Sequence, residues 1–78
     1  MNGKSKIEVL KGEEAELQKM LKTLTVEGNA VLKRLLSEES REKRDELANE
    51  LNGYLQRVIN INKRLLEIKN ELNEVKNN

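Results

Sequence analysis

The sequence predicts an all-α fold, an antiparallel coiled-coil hairpin of two long helices. Three observations point there. Apolar residues recur at alternating steps of three and four through both halves of the chain. A ten-residue polar stretch, SEESREKRDE at 37–46, separates the halves. The heptad register then jumps by two residues across that stretch, which a chain reversal absorbs and a continuous rod does not.

The first half carries Ile7, Leu10, Leu17, Leu21, Leu24, Val31 and Leu35, with Glu14 and Gly28 filling the two vacant steps. With Ile7 at an a position, Leu10 falls at d, and the heptad runs on to Leu35. Ser5-Lys6-Ile7-Glu8 fits a capping box, in which the serine hydroxyl and the glutamate each satisfy a free backbone N–H. The first helix is expected over about 6–36, with residues 1–4 frayed.

The second half keeps the beat without a gap through Leu47, Leu51, Tyr54, Val58, Ile61, Leu65, Ile68, Leu72 and Val75. Asn52-Gly53 lies inside this run. That dipeptide is a strong tight-turn signal, but the period passes straight through it. The second helix is therefore expected over about 41–76, with 77–78 frayed and a tip over about 37–41. Ser37 and Ser40 are both candidate N-caps. The acids Glu38, Glu39 and Glu42 suit the positive end of the helix dipole. A three-helix bundle, with TVEGN at 25–29 as a true loop, is the alternative.

Folding at residue 41 places Gly28 opposite Tyr54, the smallest residue against the largest. The two glycines, Gly28 and Gly53, are expected to make room for that ring. This register also opposes Glu27 to Arg57 and Arg34 to Glu50, which attract. It opposes Glu13 to Glu71 and Lys11 to Lys69, which repel, so the open end is expected to splay.

A hairpin needs only its a/d seam, and this chain has more. Leu32 and Leu55 occupy e positions, and Leu36, Ile59 and Leu66 occupy b positions, with Asn62 among them at e. Both e edges of an antiparallel hairpin lie on one side, so these residues form a second apolar strip. Such a strip calls for a cover. A second copy is the first expectation, giving a homodimeric four-helix bundle; a different protein is the other.

Composition narrows the chemistry. The 78 residues hold 15 basic and 14 acidic side chains, for a net charge of +1. There is no Cys, His or Pro, and Tyr54 is the one aromatic residue. The chain thus lacks the commonest general base, the thiolate nucleophile and the commonest metal ligands. No glycine-rich phosphate loop is present, and the remaining titratable groups lie on helix faces expected to be solvated. Neither an enzyme, nor a cofactor, nor a small-molecule substrate is expected. The apolar runs are too short to cross a membrane, no signal-peptide core is visible, and the cytoplasm is the default compartment. Richness in Asn, Lys, Glu and Ile points by association to an AT-rich bacterial or phage genome.

The expected function is non-enzymatic protein–protein contact through the apolar face, as in an adaptor, an inhibitor or a chaperone. The competing class is a small dimeric nucleic-acid-binding regulator that uses the basic tip, Arg41, Lys43 and Arg44. Carboxylates interleave with those bases, so phosphate attraction there would be weak.

Overall fold

The computed structural model describes residues 3–77, and the side chains of 6–76. Two helices make it up: α1, Gly3–Ser37, and α2, Arg41–Asn77. They pack side by side as a hairpin of 57 × 15 × 15 Å. α1 begins ahead of the expected cap, so Ser5 lies within the helix, and its side chain falls outside the described set. Of the ends expected to fray, residues 1, 2 and 78 also fall outside it.

α1 runs unbroken through 25–29, which rules out the three-helix alternative. Thr25 ties the start of this stretch to the preceding turn, donating its hydroxyl to the Leu21 carbonyl at 2.8 Å. α2 likewise runs through Asn52-Gly53, and among the described residues no glycine has a positive φ. A hairpin turn of the primed type needs positive φ at Asn-Gly. Here the burial of Leu51 and Tyr54 on either side of the pair holds the helix instead.

The reversal uses only residues 38–40. Ser40, and not Ser37, caps α2: its hydroxyl accepts the Lys43 N–H at 3.4 Å, and its carbonyl accepts the Arg44 N–H at 2.9 Å. Glu38 folds back to accept the Ser40 N–H at 3.2 Å. Ser37 closes α1, donating its hydroxyl to the Lys33 and Arg34 carbonyls, each at 3.2 Å. The Glu38 N–H reaches the Leu35 carbonyl at 3.3 Å. The turn therefore satisfies its orphan backbone groups locally.

Every apolar a and d residue from Ile7 to Leu35 and from Leu47 to Val75 is buried or half-buried. Leu10, Leu24, Val31, Leu47, Ile61 and Ile68 are buried. Burial of such a side chain is worth about 1.5–3 kcal/mol. The rest of the seam stays half-open, because two helices enclose it from only two directions.

The register about residue 41 holds. A Cβ placed on Gly28 would lie 3.8 Å from the Tyr54 Cβ and 4.0 Å from Leu51 Cδ1. Gly53 plays no such part; a Cβ there meets nothing within 4 Å. It points to water, so only one of the two glycines faces the tyrosine.

The open end does not splay. Leu10 is buried, and among the described residues Ile68 is the one fully buried side chain. The physical reason is an ion-pair cluster described below.

Two stability outcomes follow from this geometry. Gly53→Ala adds no contact and removes a helix-interior glycine, so it should stabilise the protein by about 1 kcal/mol. A thermal melt followed by circular dichroism reads this as a rise in Tm of roughly 4–8 °C. Ser40→Ala removes the cap of α2 and should cost about 1 kcal/mol in the same assay.

Candidate functional site: an apolar face and an arginine-centred cluster

Helix periodicity gives the hairpin two broad faces, one carrying the e edges and one the g edges. Leu32, Leu36, Leu55, Ile59 and Leu66 all stand exposed on the e side, at 39, 78, 52, 46 and 60% of full exposure. Asn62 is exposed among them. Among the e and b positions from Ala15 to Leu36 and from Ala48 to Leu66, Lys22 is the sole charged residue.

This face is not flat. At mid-height a groove of about 270 Å³ opens between the helices. Gly28, Leu51, Tyr54 and Val58 line it along the seam, and Leu32 and Leu55 stand at its e edges. The missing side chain of Gly28 leaves this space. Sequence pattern had assigned the glycine to accommodating Tyr54; it also sets a notch beside Leu55.

The g side carries features that the pattern did not reveal. Arg64 donates from Nε to Glu13 Oε2 at 2.6 Å and from Nη2 to Glu13 Oε1 at 2.8 Å. This is a two-point fork across the hairpin. Arg64 Nη1 also donates to Glu67 at 3.1 Å and lies 3.6 Å from Glu71. The expected repulsion between Glu13 and Glu71 is thus absorbed by an arginine one heptad away. Arg64 and Glu71 flank Ile68 at i−4 and i+3, and the bridge shuts the side of that layer.

The cluster shifts its own acid–base equilibria. Hydrogen bonds from Arg64 hold the Glu13 carboxyl below its ordinary value; partial desolvation opposes this, and the arginine's charge assists it. The Arg64 guanidinium is pushed still further into its charged form, first by its hydrogen bonds to Glu13 and Glu67. Among the described residues, every ion pair centres on Arg64. The expected pairs Glu27–Arg57 and Arg34–Glu50 are not formed. Arg57 instead sits 6.0 Å from the centre of the Tyr54 ring on its own helix.

A second open groove, of about 560 Å³, lies on the g side, lined by Met20, Leu24 and Ile61 with Lys19, Arg57 and Asn60. Met20 at a g position was the signal for it. At the tip, Arg41, Lys43 and Arg44 are exposed in the opening turns of α2.

Comparison with protein-family models, with curated proteins and with solved structures finds no match. Among the described residues, no helix is long and apolar enough to cross a membrane.

The arginine cluster makes a prediction with a definite sign. The folded-state pKa of Glu13 is depressed, so its contribution to stability is present above the ordinary carboxylate pKa of about 4.3. It is lost as pH falls through the lowered value. Arg64→Met should return the Glu13 pKa to the ordinary range and flatten that part of the acid-unfolding profile. Carboxyl titration by NMR checks it; an unchanged Glu13 pKa in the variant would contradict the assigned cause.

Proposed function

We propose that this protein is a non-enzymatic interaction module that works by protein–protein contact through the e face of the hairpin. The observation that carries this reading is the continuous exposure of Leu32, Leu36, Leu55, Ile59 and Leu66 beside the Gly28 groove. Single exposed apolar residues are ordinary; five on one face, interspersed with neutral polar residues and one lysine, are the pattern of a surface that meets another. The half-open seam supports the same reading, since a partner on this side would finish covering Leu51 and Val58. Asn62, at the same face, would supply a hydrogen-bonding group that fixes how the partner sits.

Self-association is the form this takes first, two hairpins making a four-helix bundle. Another protein's amphipathic helix is the other form. Neither needs a cofactor, a metal or a small-molecule substrate.

The second reading is nucleic-acid binding at the tip. Its support is that Arg41, Lys43 and Arg44 are exposed at a helix N-terminus and take no part in the ion pairs among the described residues. Glu38, Glu39 and Glu42 share that end and reduce its pull on phosphate. A fall in affinity for a DNA or RNA duplex that is steep in salt would favour this reading; no binding at low salt would remove it.

The deciding experiment combines sedimentation equilibrium with Leu55→Glu/Ile59→Glu. Both side chains are exposed in the hairpin, so the double variant should keep its helicity. Association of the wild type, with itself or with a partner, should be lost. If the variant unfolds instead, these residues belong to an internal core and the reading fails.

A further inference from the structure

The outer face of α2 carries complementary side chains at equal distances on either side of Arg57. Leu55 and Ile59 stand equally far from that centre, as do Asn52 and Asn62, Ala48 and Leu66, and Asp45 and Lys69. Each couple joins an e position to a b position, the layer pairing that an antiparallel helix pair requires. Laid against its own copy upside down, α2 would set leucine on isoleucine, asparagine on asparagine, alanine on leucine and aspartate on lysine.

On this basis we propose that the e face takes a second copy of the chain in one orientation. The two hairpins stack antiparallel about a twofold axis at the height of Arg57, with the tip of each beside the open end of the other. The inference rests on the interaction reading above and specifies its occupant and register.

Charge complementarity decides the orientation. In the antiparallel stack Asp45 near one tip meets Lys69 near the other open end, twice by symmetry. The parallel stack, tips together, lays α1 on the partner's α2. It would bring Leu32 against Asn52 and Gln18 against Leu66, with Leu36 on Ala48 as an apolar couple. Buried mismatches at Leu32 and Leu66 then replace the leucine–isoleucine and asparagine–asparagine couples, and the two aspartate–lysine pairs are lost. Sliding the antiparallel register by one heptad is little better. One direction puts Asn52 on Leu55, and the other puts Ile59 on Asn62.

The groove fits the same arrangement. It lies beside the axis, lined by Leu55 and Val58 among others. The second copy's Ile59 comes to the height of Leu55 there. Asn52 and Asn62, both exposed on the hairpin, would hydrogen-bond across the interface at the two symmetric points. Buried asparagine pairs of this kind set register in coiled coils.

The chain has no cysteine, so introduced thiols report cleanly. Asn52→Cys and Asn62→Cys proteins, mixed in a glutathione redox buffer, should form a 52–62 disulfide dimer. Each alone should not, since like positions stand about 15 Å apart along the helix at 1.5 Å per residue. In parallel, Asp45→Lys should weaken dimerisation on the order of five- to tenfold. Adding Lys69→Asp to the same chain should restore it. A wild-type dimer that gives a Leu32→Cys/Asn52→Cys link instead overturns the antiparallel stack and leaves the interaction reading standing. A dimer with neither link overturns the register. A wild type that sediments as a monomer at every concentration overturns the second-copy proposal; capture of another protein through Leu55 and Ile59 would then be what remains of the function.

Discussion

Two helices can close their seam from only two directions, and this constraint shapes everything else in the molecule. The a and d residues meet along the hairpin, yet among the described residues only Ile68 is wholly removed from water. Leu17, Leu21, Leu51, Val58 and Leu65 remain half-buried, each enclosed by two helices alone. Hydrophobic stabilisation scales with the area withdrawn from water. A small helical hairpin therefore sits near the lower limit of what a single core can hold. What stands at the edges of the seam then matters as much as the seam itself.

The two edges meet that constraint differently. On the g side the open-end layer is shut by charge. Arg64 reaches across to Glu13 in a two-point fork and gathers Glu67 and Glu71 around the same guanidinium. Exposed ion pairs are individually weak. A bidentate pair with shared neighbours is better placed to hold long side chains over a buried isoleucine. On the e side the residues at the edge are apolar, and they leave the seam open. Leu32 and Leu55 flank a groove where Gly28 has no side chain, and water is the only cover the isolated chain provides. That asymmetry is the physical basis for reading the e face as a contact surface. The complementary order of side chains about Arg57 is the basis for reading its occupant as a second copy.

The turn and the glycines show how local chemistry and packing divide the work. Residues 38–40 reverse the chain with their own side chains, Ser40 capping α2 and Glu38 capping Ser40. Asn52-Gly53 had the local chemistry of a turn and none of its geometry. The helix on either side of it is held by seam residues, and one glycine costs only about 1 kcal/mol against that. Gly28 and Gly53 look alike in sequence and do unlike things. One faces Tyr54 and opens a groove; the other faces water.

Sequence by itself determined the helix period, the reversal near residue 41, the register that sets Gly28 against Tyr54, and the identity of the apolar strip. These follow from spacing, and spacing along a helix is rigid: a residue's face is set once its position in the heptad is known. Tertiary structure alone decided which charges pair. Glu13 and its direct opposite, Glu71, both reach Arg64 because a long guanidinium side chain can span to a neighbour one heptad away. Arg57, for the same reason, could leave Glu27 and lie by Tyr54. It also decided that the open end stays closed, that Gly53 packs against nothing, and that Met20 borders a groove. Flexible side chains settle among several partners of similar energy, and only the three-dimensional arrangement of all of them picks one.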